Sequence, residues 1–140
     1  MEHIIIIPSL MLATVMGIAM PVSAQAVEKQ TPASETACVA TTPAAQIALN
    51  AAKNEARQMA EATNGWLTAY RAEASMHGAA VDSPCEMLGP DTWRFTFRGG
   101  EPTAVVVSED YTLLSVVTVQ GTGGNRTVTL DYNGPIDDYR

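Results

Sequence analysis

The feature that most constrains this chain is a stretch of alternating side chains between Asp91 and Tyr132. From Thr92 to Arg98, an aromatic residue at every second position alternates with threonine or arginine. This two-residue period is typical of a strand with one buried and one solvated face. The same period returns from Arg126 to Tyr132. Because short links join the runs of this stretch, we expect neighbouring strands to be antiparallel.

Two more runs complete the predicted sheet. The run from Thr103 to Ser108 is apolar and β-branched, which predicts a strand after the breaker cluster Gly99-Gly100-Glu101-Pro102. The run from Thr112 to Gln120 is apolar on both faces, as expected of an inner strand or of one whose outer face is covered. The glycine-rich link from Gly121 to Asn125 predicts a hairpin loop.

Residues 1–26 have the pattern of a secretory signal peptide. The segment from Ile4 to Met20 is apolar, and small residues follow it, so we expect cleavage after Ala24 or Ala26. Roughly 17 apolar residues interrupted by Pro8 are short for a membrane span of ~20 residues. We therefore expect a secreted or periplasmic protein with no stable membrane span after cleavage. An uncleaved membrane anchor is the alternative.

Residues 27–42 are small and polar and predict a flexible linker. Thr42-Pro43 predicts the start of a helix, because threonine caps helices and proline suits the first helical position. An amphipathic helix follows, since apolar or small residues recur every three or four positions. The predicted buried stripe consists of Ala45, Leu49, Ala52, Ala56, Met59 and Thr63, and the polar face includes Lys53 and Arg57.

Cys38 and Cys85 are the only cysteines, and in an oxidising compartment they predict one disulfide. A helix from Pro43 to His77 would be about 52 Å long. The chain from His77 to Cys85 could return at most about 29 Å. The disulfide therefore favours a reversal of the chain at Asn64-Gly65.

After this reversal, Trp66 to Ser75 is expected to return as a strand, with a helical hairpin as the alternative. Trp66 and Tyr70 would then complete the core. The Gly- and Pro-containing segment from His77 to Pro90 is expected to be a loop.

The net charge of the chain and its sequence motifs argue against several classes of function. The net charge of −7 argues against nucleic acid or an anionic membrane as the main partner. His77 is the only histidine outside the predicted signal peptide, so we expect no metal site and no Cys-His nucleophile. The paired carboxylates Glu109-Asp110 and Asp137-Asp138 lie in no ligand-spaced loop. We therefore predict no catalytic residue and no cofactor.

Together these patterns predict one α+β domain over residues 43–134, followed by an acidic tail at residues 135–140. One N-terminal amphipathic helix should pack on an antiparallel meander of four to five strands. A single helix covers only one face of such a sheet. The surplus apolar positions are either covered by the Trp66 to Ser75 segment or by sheet coiling, or they form a partner surface that includes Val106, Leu114 and Val116.

The segment from Trp93 to Gly100, followed by Thr103 to Asp110 and by Leu113-Leu114, resembles the hairpin of small secreted PepSY-type domains. The order of helix, strand and meander also resembles the cystatin-like architecture, which implies a helix embraced by an antiparallel sheet. Tyr111 stands where the PepSY pattern usually has glycine, and the cystatin Gln-Val-Gly loop is missing. Protease inhibition is therefore not carried over to any residue.

The sequence favours an exported, non-enzymatic module that binds a protein or an envelope component in an inhibitory or accessory way. Two other classes stay open. One is a small enzyme that uses a carboxylate together with Tyr70, Tyr111 or Tyr132 in a pocket between helix and sheet. The other is a structural subunit of an envelope or matrix.

Overall fold

The structure is a computed structural model that describes residues 37–140. The predicted signal peptide at residues 1–26, with both cleavage sites, and residues 27–36 of the predicted linker lie outside the described residues. Within the described part, two helices accompany one five-stranded antiparallel sheet. In chain order the elements are α1 (Pro43–Thr63), β1 (Arg71–Ala72), β2 (Cys85–Gly89), β3 (Thr92–Gly100), α2 (Pro102–Ser108), β4 (Leu113–Gln120) and β5 (Thr127–Pro135).

The sheet confirms the predicted α+β class. Its strand order is β1-β3-β4-β5, and β2 also pairs with β3. β1 pairs with β3 at Gly99, whereas β2 pairs with β3 at Phe95, so the two short strands share one edge of β3. Phe95 lies opposite Val117, and Val117 lies opposite Leu130. The inward-facing side chains of the three long strands therefore form one continuous face, which is buried on β3 and β4 and half-buried on β5.

Helix α1 covers that inner face. Thr42 caps it by accepting a hydrogen bond from the Ala45 N–H at 3.1 Å, as the sequence predicts. The predicted stripe is confirmed at Leu49, Ala52 and Ala56, which are buried in the same cluster as the aromatic residues of β3. Alanines let the helix axis approach the sheet closely, and this leaves room for few larger side chains.

The chain reverses after α1, as predicted. Gly65 has a φ of +93° and Trp66 a φ of +64°. The Trp66 N–H donates to the Glu61 carbonyl at 2.6 Å, which closes the helix end in the manner of a Schellman motif. The expected burial of Trp66 is wrong, because this residue is part of the turn and is 60% exposed. Tyr70, just beyond the turn, is fully buried and does complete the core.

The disulfide between Cys38 and Cys85 is confirmed, with the two Cα atoms 5.6 Å apart. Cys38 is buried, and Ala37 forms a β-bridge with Glu86, so the end of the predicted linker packs on the domain. The bond closes a separation of 47 residues. In the chain-entropy model such a loop stabilises the fold by roughly 4 kcal/mol.

Three predicted segments differ from the structure. Residues Thr103 to Ser108, predicted as a strand, lie in α2. The predicted strand from Trp66 to Ser75 is reduced to the two residues of β1, because the chain first turns and then enters a short 3-10 helix at Ala74–Met76. The predicted loop from His77 to Pro90 contains β2, which forms because the edge of β3 offers backbone partners there.

The end of the chain packs on the sheet beyond the predicted domain boundary. The Ile136 N–H donates to the Thr112 carbonyl at 3.2 Å, and a short 3-10 helix spans Ile136–Asp138. The rings of Tyr132 and Tyr139 lie 4.9 Å apart. No helix within residues 37–140 is both long enough and apolar enough to cross a bilayer.

Candidate functional site

The candidate site is built around α2, the short helix that connects β3 to β4. Glu101 precedes it, and its carboxylate accepts hydrogen bonds from the Thr103 N–H at 3.0 Å and the Ala104 N–H at 2.8 Å. These two backbone donors hold the pKa of Glu101 below its usual range. Pro102 occupies the first turn, where its missing N–H leaves no donor unpaired. The cap therefore starts a helix in a run whose side chains favour strands.

The exposed side of α2 is apolar. Val105 is buried and anchors the helix on the domain, whereas Val106 is 62% exposed and Val107 is 75% exposed. Glu109 ends the helix in the left-handed conformation, with a φ of +51°. This residue type rarely adopts that conformation, so the end of α2 is held by its surroundings.

A concavity of about 210 Å³ adjoins α2. Because Ala72 belongs to the core, Arg71 points to the outer face of the sheet, away from α1. The concavity combines cationic, anionic, apolar and aromatic groups in one small space, so it suits a protein side chain better than a single ion. Its lining consists of Arg71, Ala74, Val105, Val106, Glu109 and Tyr111.

The Tyr111 ring forms the aromatic wall of this concavity, and Arg98 holds the ring in position. The guanidinium of Arg98 lies 4.4 Å from the centre of the Tyr111 ring. Arg98 is also paired with Glu73 at 3.2 Å, and the Arg98 N–H donates to the same carboxylate at 2.8 Å. A cation held over an aromatic face stabilises the ring position. Arg71, in contrast, has no carboxylate within 4 Å among the described residues.

The three predicted partner residues differ in exposure. Val106 lies on α2 and is exposed. Leu114 lies on the outer face of β4 and is half-buried, since it faces Arg98 and Gly134 across the sheet. Val116 lies on the same strand but is only 2% exposed, so it cannot be reached by a partner. A partner surface can therefore include Val106 but not Val116.

Sequence reasoning missed Val107 and Arg71 as members of this surface. The sequence predicts a strand at Val107, and the pattern around Arg71 fits either a strand or a helix. The signal that could have found α2 is Glu101-Pro102, which has the same order of cap and proline as Thr42-Pro43 at the start of α1.

A second group of polar residues lies, partly buried, where α1 ends over the sheet. The side chains of Asn64 and Asn133 exchange two hydrogen bonds, each of 2.9 Å, and the Ser115 hydroxyl donates to Asn133 at 2.9 Å. The Tyr70 hydroxyl lies beside this group without a hydrogen-bond partner of good geometry. Burial raises the pKa of Tyr70 to about 12, and the nearby hydroxyl of Ser115 only partly offsets this rise.

Basic groups cluster at the neighbouring loop. Lys53, predicted on the polar face of α1, is instead buried, and its Nζ donates to the Gly78 carbonyl. Burial and the nearby Arg57 lower its pKa. Arg57 donates to His77 Nδ1 at 3.1 Å and pairs with the buried Glu61 at 3.4 Å. These contacts attach the loop to the helix.

The residues of the predicted enzyme alternative lie apart. Tyr70 is enclosed in the core, Tyr111 lines the concavity beside α2, and Tyr132 lies on the outer face of β5, where its hydroxyl donates to the Pro135 carbonyl at 2.7 Å. The buried Glu61 does not line that concavity. It also lines neither of two other concavities, of about 570 and 300 Å³, which flank the first turns of α1 at Ile47 and at Asn50.

Among residues 37–140, no group of three potential ligands could hold a metal ion. Comparison of the chain with protein-family models, with curated proteins and with solved structures finds no match. The resemblance to PepSY-type and cystatin-like domains therefore stays a prediction.

Proposed function

We propose that this protein is an exported, non-enzymatic binding module whose contact surface is α2 and the adjoining concavity. The observation that carries the proposal is the pair of neighbouring exposed valines, Val106 and Val107, beside a concavity with an aromatic wall. Exposed apolar side chains next to a formed concavity are typical of protein-binding surfaces.

The choice of valine supports this proposal. In a solvated helix, valine is less favourable than alanine, because its branched side chain loses rotamer freedom. The burial of Val105 accounts for a valine at that position, whereas Val106 and Val107 expose most of their surface to solvent. A partner that covers them would gain roughly 1.5 to 3 kcal/mol for each valine fully buried.

The partner that fits is a protein segment with an apolar side chain and a carboxylate. The apolar group would cover Val106 and Val107, and the carboxylate would pair with Arg71, which has no such partner among the described residues. The net charge of −7 makes an anionic lipid surface a poorer candidate. The disulfide fits the oxidising compartment in which such a partner would be met.

The test is site-specific photocrosslinking in the native envelope. A photoreactive amino acid replaces Val107 in one sample and Val39 in a matched control, because Val39 is also exposed but lies before α1 and lines none of the three concavities described above. We expect one discrete adduct from position 107 and none from position 39. The adduct should disappear when Val106→Asp is added, while the folded circular dichroism spectrum is kept.

Equal adducts from both positions, or none from position 107, would contradict the proposal. The Arg71→Ala variant then separates the two parts of the surface, since it should weaken the adduct without changing the fold. N-terminal sequencing tests export independently. A mature chain that starts at Gln25 or Val27 would support it, whereas an intact Met1 in the membrane fraction would support the anchor.

A further inference from the structure

β5 forms one edge of the sheet. The two halves of this strand differ. The half after Leu130 carries Asp131, a bulge opposite Val116 and Val117, and Pro135, all of which discourage another strand from pairing. The half from Thr127 to Leu130 has no charge, no proline and no glycine. This half of the edge is therefore open to strand pairing.

The direction of the backbone groups on this half follows from the register. The Gly121 N–H donates to the Asp91 carbonyl at 2.7 Å, on the side of β3. Backbone groups alternate in direction along a strand, so the N–H and C=O groups of Val119 and Val117 also point toward β3. The N–H and C=O groups of Thr118 therefore point toward β5. Thr118 lies opposite Thr129. The backbone N–H and C=O groups of Thr129 therefore form hydrogen bonds with β4. Those of its two neighbours point away from β4, toward the unpaired edge of the sheet.

Those neighbours are Val128 and Leu130. Neither takes part in a backbone hydrogen bond outside the strand ladders. Their side chains lie on the inner face, packed against the core but still partly exposed. The open edge thus combines unpaired backbone groups with apolar side chains that an added strand could cover.

We propose that the occupant of this edge is a second copy of the chain, paired antiparallel through Val128 to Leu130 about a two-fold axis at Thr129. In this register Val128 of one copy lies opposite Leu130 of the other, and each exchanges its outward backbone hydrogen bonds. The contact is isologous, as expected of a closed dimer. The pairing ends at the β5 bulge of each copy, so the bulge limits its length.

No like charges meet in this register. Asp131 of one copy lies on the outer face opposite the uncharged Thr127 of the other, whereas Arg126 lies on the inner face beside α1. Arg126 is held at this position by Glu55, with Nη2 and Oε1 2.7 Å apart. On the outer face, Thr129 meets Thr129, a pair that is favourable across antiparallel strands. A second copy therefore fits the open half of this strand in backbone, apolar contact and charge.

The test is sedimentation equilibrium of the purified protein, with its disulfide intact, over a range of concentrations. We expect a reversible monomer–dimer equilibrium for the wild type. Thr129→Lys and Thr129→Asp should each weaken the dimer about fivefold or more, because each puts like charges opposite one another at the axis. An equimolar mixture of the two variants should regain the dimer, since unlike charges then meet.

Thr127→Lys is the matched control, because it adds the same charge to the same strand face but places it opposite Asp131 of the second copy. This variant should dimerise at least as tightly as the wild type. A wild type that stays monomeric at all concentrations would overturn the proposal. So would position-129 variants that associate like the wild type, or whose mixture gains nothing over either variant alone.

This inference is independent of the proposed function. α2 contacts β1 and β3, whereas β5 lies at the other edge of the sheet. We therefore expect Val106→Asp to leave the dimer unchanged and Thr129→Lys to leave the crosslinked adduct unchanged.

Discussion

The two helices begin in the same way and end up with different roles. In α1, Thr42 accepts a hydrogen bond from the Ala45 N–H, and Pro43 follows. In α2, Glu101 accepts from the backbone and Pro102 follows. Yet α1 spans 21 residues and buries one stripe along its length, whereas α2 spans 7 residues and buries one residue. A cap and a proline decide where a helix begins, but the buried stripe decides how far it continues.

The difference also separates two sources of stability. Most helices in proteins are held by tertiary packing of an apolar face, and α1 is of this kind. α2 is too short for that, and its hydrogen bonds begin from the carboxylate of Glu101. A tightly packed helix tolerates little change in its neighbourhood. A capped, exposed helix should tolerate substitutions on its free face.

Among the substitutions that test this contrast between a packed and an exposed region, the largest loss of stability is expected at Gly99, which faces the packed core. A Cβ atom at this position would lie 2.3 Å from the ring of Tyr70, which is fully buried and cannot move away. We expect Gly99→Ala to lower the free energy of unfolding by about 2 to 3 kcal/mol, as measured by urea denaturation.

Gly89→Ala is the matched control, because nothing lies within 4 Å of its added Cβ. Adding Tyr70→Leu to Gly99→Ala should recover part of the loss by removing the ring and its unpaired hydroxyl. If Gly99→Ala and Gly89→Ala are equally stable, the core around Tyr70 is looser than the structure indicates.

The next effect concerns the turn that stops α1. Gly65 has a φ of +93°, and its Cβ would lie 3.1 Å from that of Ala69. Gly65→Val should therefore lower the unfolding free energy by about 1 to 3 kcal/mol. Gly124→Val is the control, since Gly124 has an ordinary φ and open space. A Gly65→Val variant that gains stability would mean that α1 continues through this position.

The contact between α1 and the loop after β1 should depend on pH. Arg57 can only donate, so His77 accepts through Nδ1 and is neutral in the folded protein. Partial burial and the nearby Arg57, Arg71 and Lys53 lower its pKa, although a backbone hydrogen bond to Ala72 opposes the shift. The unfolded chain therefore takes up this proton first. The stability contributed by neutral His77 is present above about pH 6.5 and is lost as the pH falls toward its folded pKa.

Urea denaturation at pH 7.5 and pH 5.5 checks this expectation. His77→Asn keeps an acceptor near the position of Nδ1 but does not titrate, so its loss of stability between the two pH values should be smaller than that of the wild type. An equal loss in both proteins would assign the pH dependence to other groups.

The sequence predicts the parts of this fold that depend on local patterns. The alternation of Trp93, Phe95 and Phe97, the period of α1 and the reversal at Gly65 are all properties of short segments, and the structure confirms them. The disulfide was predictable because two cysteines allow one pairing. These features determine the inner face of the sheet.

What could not be predicted depends on competition between signals or on distant neighbours. The run Val105-Val106-Val107 favours a strand by propensity, but the Glu101 cap and the short span between β3 and β4 make it a helix. β2 was missed because its backbone partners are on β3. The candidate site was found only in part, since Val106 was predicted, whereas Arg71 and Tyr111 join it through the register of β1 and the contact with Arg98.

The smallest expected effect tests whether the exposed face of α2 is left uncovered by the rest of the protein. Val107 is exposed, so Val107→Ala loses little buried surface and gains helix propensity, and we expect the unfolding free energy to rise by about 0.5 kcal/mol. Val105→Ala changes the same side chain on the same helix, but it removes a buried anchor and should lower stability by about 1 to 3 kcal/mol. Both values come from urea denaturation of the monomer. If the two variants lose stability equally, Val107 is covered within the protein itself, and the contrast between a packed and an exposed helix fails.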